Sequence, residues 1–260
     1  MYKRGLKLWS VNTDFYYDEA IRLYQEDIYD YIELYVVPDT LDKLQKWKKL
    51  RIPFIIHNAH FAQGFNLARK EKESENRKIY EQTKQYADEL NGEYIIFHGG
   101  SDGNIRETAI QLAMFNEPRA LIENKPFAAL IKIMGGSYCR GYNVDEIKLV
   151  MDTAGCGFCL DFGHAVCAAN SLGEDIYEYC KNFLQLNPKM FHLTDLEDIT
   201  SPCDSHLHLG NGQLDIYKIL SMIPDNSKIT FETDKNSKEN LEDFKEDMKY
   251  IQDYTLLKYS

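Results

Sequence analysis

The sequence predicts an α/β fold, a (β/α)8 TIM barrel, on three observations. Eight short apolar runs alternate along the chain with segments whose apolar positions recur at helical spacing. The runs are near-continuously apolar, the pattern of strands covered on both faces. All seven histidines fall at, or just past, the downstream end of such a run, the place where barrel enzymes collect their chemistry.

In order, GLKLWS (5–10) leads into the helical segment DEAIRLYQEDI, and YIELYVV (31–37) into TLDKLQKWKKL. FIIHNA (54–59) precedes the long charged segment KEKESENRKIYEQTKQYADEL, whose RKEKESENRK portion reads as a solvated helix face. YIIFHG (94–99) and ALIENK (120–125) supply the fourth and fifth strands. The connection KPFAALIKIMGGSYCRG (125–141) is long enough to be a candidate lid before VDEIKLVMDTA. GFCLDFG (157–163) is followed by GEDIYEYCKNFLQL, MFHLTD (190–195) by DIYKILSM, and KITFETD (228–234) by NLEDFKEDMKYIQDY. Eight strand runs alternating with helical segments specify the barrel. An open doubly wound sheet is the competing architecture, but no Gly-rich dinucleotide loop follows the first strand. No low-complexity linker divides the chain, so residues 1–260 read as one barrel domain.

A length of 260 residues suits one such domain, and 44% hydrophobic with 13% aromatic residues can fill its core. The net charge of −11 argues against broad attraction to a polyanion. Bound divalent ions would reverse the field locally. No run reaches the roughly 18 apolar residues of a membrane span, and the N-terminal segment lacks a signal-peptide apolar region. A cytoplasmic, soluble monomer is expected. Of the six cysteines, Cys156 and Cys159 resemble a redox CxxC. Their place on a strand turns them to opposite faces, so they are expected to be reduced and buried. Cys203, in a loop beside Asp204, is the thiol expected near the site.

The polar residues that end the strands form a constellation. They are His57, His98, Glu123, Asp161, His164, His192 and Glu232, with Asp204 and His206 in the loop after the seventh strand. A carboxylate late in an apolar strand is costly unless paired or metal-bound. Nine ligand-type residues exceed the four of one tetrahedral zinc, and suit two or three ions with one shared carboxylate. His57 is preferred to His60 because it ends the strand directly. His208 is expected to support the site or face substrate, not to bind an ion.

These residues resemble the endonuclease IV group of apurinic/apyrimidinic endonucleases, within the xylose isomerase-like barrel superfamily. The resemblance runs from His57 to Glu232. It is carried by FHGGS (97–101), IEN (122–124), CLDFGHA (159–165), FHLTD (191–195) and, most specifically, DSHLHLGNG (204–212). It implies that His57, His98 and Glu123 hold one ion, and that Glu123, Asp161, His192 and Glu232 hold a second. His164, Asp204 and His206 would hold the third. Zinc is the implied metal, with manganese also compatible with the His-rich set. The implied activity is a DNA-repair hydrolase cutting the phosphodiester 5′ of an abasic nucleotide, with Glu123 positioning the attacking water. Damaged DNA is then the partner.

Several features depart from that pattern. The first strand carries GLKLWSVN where the family has a histidine. Glu33 resembles the second-strand glutamate of sugar isomerases and epimerases. HNAHFAQGFNLA replaces a more regular loop, leaving His60 and Phe61 as candidates for stacking, and Lys125 and Arg140 are candidate phosphate contacts. A sugar isomerase or epimerase would use Glu123 and Glu232 as its acid/base pair about one ion, but leaves His57, His98, Asp204 and His206 without a task. A third reading is a metal-binding barrel, without catalysis or acting on a small phosphorylated substrate.

Overall fold

A computed structural model describes residues 2–129 and 136–259. Eight parallel strands close into a barrel in sequence order, the last pairing with the first. They are β1 (Lys3–Trp9), β2 (Tyr31–Tyr35), β3 (Phe54–His57), β4 (Ile95–His98), β5 (Ala120–Glu123), β6 (Gly157–Asp161), β7 (Met190–Leu193) and β8 (Lys228–Phe231). The helices around them are α1 (Thr13–Gln25), α2 (Leu41–Trp47), α3 (Glu73–Glu89), α4 (Ile105–Phe115), α5 (Val144–Ala154), α6 (Phe162–Leu172), α7 (Ile176–Leu184), α8 (Ile216–Met222) and α9 (Glu242–Tyr259). Each strand matches an apolar run of the sequence. Most end sooner than the run does, because the polar residues that close it belong to the loops.

Strand alternation explains how the barrel is filled. Residues two apart on a strand share a face. One set, including Ile32, Leu34, Ile56, Phe97, Ile122, Phe158 and Phe191, joins the large core shared with the helices. The other set, Tyr31, Ile55, Ile96, Leu121, Cys159 and Met190, forms a separate small cluster that plugs the barrel interior. One step further along the same face come Glu33, His57, His98, Glu123, Asp161 and His192. The site is thus the polar layer resting on an apolar plug. Gly5 makes room for that plug: a Cβ there would meet the Tyr31 ring at 2.5 Å.

One local boundary differs from the sequence reading. The run 157–163 ends at Asp161, whose Oδ1 accepts a hydrogen bond from the His164 backbone N–H at 2.7 Å and caps α6. His164 therefore sits in the first turn of a helix, not at a strand end. Capping by an acidic side chain at this position is favourable. In the 125–141 connection, residues 130–135 of the expected lid lie outside the described residues. Its flanks approach each other at Ala128 and Tyr138, and Cys139 bridges to Ser101. No described helix is long and apolar enough to cross a membrane.

Candidate metal centre

Glu123 lies at the middle of the polar layer. Its Oε2 is 3.1 Å from His57 Nε2 and 3.2 Å from His98 Nε2. Its Oε1 is 3.0 Å from His164 Nδ1. Two groups of potential ligands share it, namely His57–His98–Glu123 and Glu123–Asp161–His192, with ligand atoms within 4.8 Å of one another. Glu232 closes on the second group through His192 Nδ1 at 3.1 Å. Beside them, Asp204 lies 3.2 Å from His164 Nε2 and 3.1 Å from His206 Nε2. All nine residues singled out in the sequence meet in one place.

The donor set fits divalent ions. Glu123 Oε1, His192 Nδ1, His98 Nδ1 and both Asp204 carboxylate oxygens are buried without a hydrogen bond among the described residues. Buried polar atoms in native proteins are nearly always satisfied. Here the orphans of Glu123, His192 and Asp204 face other ligand-type atoms at close range. Mixed imidazole and carboxylate donors suit zinc or manganese.

The ligand-type side chains are held by their neighbours. His57 Nδ1 lies 2.8 Å from the Asn58 carbonyl, which turns Nε2 toward Glu123. His192 Nε2 donates to Glu33 Oε2 at 2.9 Å, leaving Nδ1 toward the centre. The same Glu33 oxygen accepts from Thr230 Oγ1 at 2.6 Å, and Thr230 in turn bonds Tyr31. Orientation of ligand imidazoles by outer carboxylates and carbonyls is general in metal sites. His206 Nδ1 lies 2.9 Å from the Glu232 carbonyl.

Burial and mutual charge push the ionisations apart. Burial drives the Asp161 carboxyl up to about 6, with Glu123 and Glu232 adding to it against the pull of His164 and His192. Burial also raises Glu33, yet His192 and Lys7 outweigh it and hold that carboxyl at about 2. Asp204 is likewise held at about 2, burial being overcome by His206 and His164. Burial lowers the His98 imidazole to about 3, so it is neutral and ready to ligate. For His164, burial and the Lys125 ammonium oppose protonation, but Asp161, Asp204 and Glu123 prevail and raise it to about 10.

Lys7 was not legible as part of this centre, and Glu33 stood out only through its likeness to the second-strand glutamate of sugar isomerases and epimerases. Lys7 Nζ bonds Glu33 Oε1 at 2.5 Å and also Glu232. The only hint was position: Lys7 is two residues past Gly5 on the inward face of β1. Lys125 Nζ stands 3.0 Å from His164 Nε2 and 3.7 Å from Glu123.

Above the centre opens a cavity of about 610 Å³. Lys7, Lys125, Lys235 and Lys238 line it together with Asp204, Glu232 and Asp234, so an acidic chain presents a mouth of mixed charge. Trp9 stacks on Tyr35 with ring centroids 4.5 Å apart, and His60 stacks on Phe61 at 4.3 Å, forming an aromatic wall. His60 Nδ1 accepts from the Ala62 N–H and His60 joins neither of the groups about Glu123.

Three expectations are corrected or refined. His208 does not line the cavity. It lies against α9, 2.9 Å from Asp247 and 3.1 Å from Asn236. The loop is turned that way by Asp195, whose carboxylate accepts the N–H groups of Leu196, Gly210, Gly212 and Leu214. A Cβ at Gly212 would meet Asp195 Oδ1 at 2.5 Å, so this part of the LGNG stretch serves the loop, not the ions. Arg140 is engaged with Glu146 at 2.8 Å and with loop carbonyls, away from the cavity. The six cysteines are free thiols, Cys156 is only half-buried, and Cys203 lines the cavity as expected.

Comparison with known proteins places this geometry in a family. Similar solved structures include the TTHB071 protein of Thermus thermophilus, soaked with ZnCl2, at 17% identity and TM-score 0.71 over 97% of each chain. A D-tagatose 3-epimerase-like protein matches at 15% identity and TM-score 0.69, over 98% of this chain and 97% of its own. Endonuclease IV from Thermus thermophilus matches at 17% identity and TM-score 0.67, over 99% of this chain and all of its own. At these identities the likeness is one of fold. No curated protein matches the sequence. The family described as xylose isomerase-like TIM barrel matches residues 19–254. The similar structures include endonucleases and epimerases alike, and the chain belongs to the xylose isomerase-like TIM barrel family.

Proposed function

We propose that this chain is a multi-ion phosphodiesterase acting on an abasic deoxyribose phosphodiester, cutting DNA on its 5′ side. The observation that carries this reading is Glu123, shared between two ligand groups with His164, Asp204 and His206 immediately beside them. A single-ion enzyme has no use for the second imidazole set. His57, His98 and Glu123 would hold one ion, Glu123, Asp161, His192 and Glu232 a second, and His164, Asp204 and His206 a third.

Bound zinc or manganese supplies Lewis acidity toward the phosphoryl oxygens and lowers the pKa of water to about 7. Glu123 orients the attacking water from the centre of the cluster. Lys125 brings positive charge to the phosphate, and the Trp9–Tyr35 wall packs against the sugar. Exclusion of bulk water by the apolar plug below strengthens each of these interactions.

The test is cleavage of a duplex containing one abasic site by zinc-loaded protein, with and without chelator. Chelator-sensitive incision 5′ of the site supports the reading, and an intact strand under zinc loading overturns it.

A second reading, a sugar isomerase or epimerase, is favoured by Lys7, whose ammonium draws Glu232 toward Glu33. In it Glu123 and Glu232 exchange protons with the substrate about one ion. One manganese per chain would support it, and about three zinc per chain would support the phosphodiesterase.

A further inference from the structure

Besides the two groups that share Glu123, a third set of ligand-type atoms closes within 4.8 Å, formed by Glu33, His57 and Glu232. It differs from the other two in one respect. A cation already stands in hydrogen-bond contact with both of its carboxylates, whereas Lys125 Nζ stays 3.7 Å from Glu123. Lys7 Nζ lies 2.5 Å from Glu33 Oε1 and bonds Glu232 as well. The remaining Glu33 oxygen is saturated by His192 and Thr230. The Glu33 side chain is fully buried and the Lys7 side chain is only 10% exposed. Two carboxylates so placed require a cation, because an uncompensated buried charge is strongly destabilising. A tethered ammonium and a divalent ion meet the same requirement with different charge and different reach.

We propose that the Lys7 ammonium is a built-in cation that fills the Glu33–His57–Glu232 triad and thereby limits how many divalent ions the barrel mouth admits. The proposal deepens the multi-ion reading and rests on it. Lys7 acts as a positioning residue. It holds Glu232 by one oxygen and Glu33 by the oxygen that does not receive His192, so His192 and Glu232 keep fixed places while an ion among Glu33, His57 and Glu232 is excluded. His57 is released to serve the group it shares with His98 and Glu123.

The test compares zinc content per chain by elemental analysis, after loading with excess zinc and removal of the free metal, in the full-length protein and its variants. Lys7→Met keeps the length of the side chain without its charge. It should hold about one zinc more than the parent, while Lys7→Arg should match the parent. Adding Glu33→Gln to Lys7→Met should erase the gain. Thermal unfolding with and without zinc guards against a folding failure: if the ammonium stands for an ion, Lys7→Met is destabilised in chelator and restored by zinc. A folded Lys7→Met with the parent's zinc content overturns the proposal, as does one that zinc does not restore. Failure of the phosphodiesterase reading appears elsewhere, as absent incision by the parent protein, and leaves the difference between Lys7→Met and parent standing.

Discussion

Glu33 accepts a hydrogen bond from His192 Nε2 at 2.9 Å, and this contact decides which ring nitrogen faces Glu123 and Glu232. A carboxylate only accepts, so Nε2 carries the proton and Nδ1 is left toward the centre. Glu33→Gln keeps the size and removes the charge. Zinc should then bind about 10- to 100-fold more weakly, read by competition with a chromophoric chelator. Unchanged affinity would show that Glu33 does not orient His192.

Glu123 is fully buried and lies among four imidazoles, those of His57, His98, His164 and His192. Glu123→Gln removes a donor from both groups about it. Incision of the abasic duplex should fall by on the order of 10³-fold or more, together with zinc content. Normal turnover in this variant would refute the role given to Glu123.

His164 lies 3.2 Å from Asp204, which reaches His206 in turn. His164→Ala should lower zinc content by about one ion per chain while the two groups at Glu123 remain loaded. Elemental analysis showing no loss would contradict a third ion at Asp204.

The pH dependence has a definite sign. The His164 imidazole is raised from 6.5 to about 10, burial being outweighed chiefly by Asp161. The folded chain therefore binds that proton more tightly than the unfolded one. The stability it contributes is fully present below pH 6.5 and lost as pH rises through about 10. Asp161, raised by burial from 3.8 to about 6, adds a loss of the same sign in its lower window. Zinc needs both groups deprotonated, so its affinity rises with pH. In chelator, Tm should fall between pH 6.5 and pH 10, while the Tm gain from zinc grows. A zinc gain that shrinks with rising pH would count against these ligands.

Trp9 and Trp47 are the two tryptophans. Trp47 is fully buried, whereas Trp9 is 37% exposed and lines the cavity. Ligand entry should therefore change the emission of Trp9, and Trp9→Phe should abolish the signal. Trp9→Ala should raise KM by up to about tenfold through lost stacking, with kcat largely retained. Emission that responds equally in Trp9→Phe would place the ligand elsewhere.

How much of this was readable in the residues differs by feature. The strands were, because burial on both faces forces near-continuous apolar runs such as FII before His57 and YIIF before His98. The placement of His57, His98, Glu123, Asp161, His192 and Glu232 was, because carboxylates and imidazoles rarely close an apolar strand unless a partner or an ion offsets their burial, whereas His164, Asp204 and His206 lie off the strands. His57 over His60 followed from strand position alone. Lys7 was not, since a lysine in KRGLKLW looks like an ordinary strand residue until closure brings β1 beside both β2 and β8. The part played by Glu33 was hidden for the same reason: its partner His192 is 159 residues away. His208 was misplaced because the grip of Asp195 on four backbone N–H groups leaves no mark in a spacing pattern. The four lysines of the cavity come from three segments, Lys235 and Lys238 sharing one, so a net charge of −11 concealed them.

The most direct measurement is an anomalous-scattering map from crystals of zinc-loaded protein. Peaks are expected between Glu123 and the His57–His98 pair, and between Glu123, Asp161 and His192, with a further one at Asp204 and none in contact with Lys7. A loaded crystal without anomalous density around Glu123 would overturn the multi-ion reading.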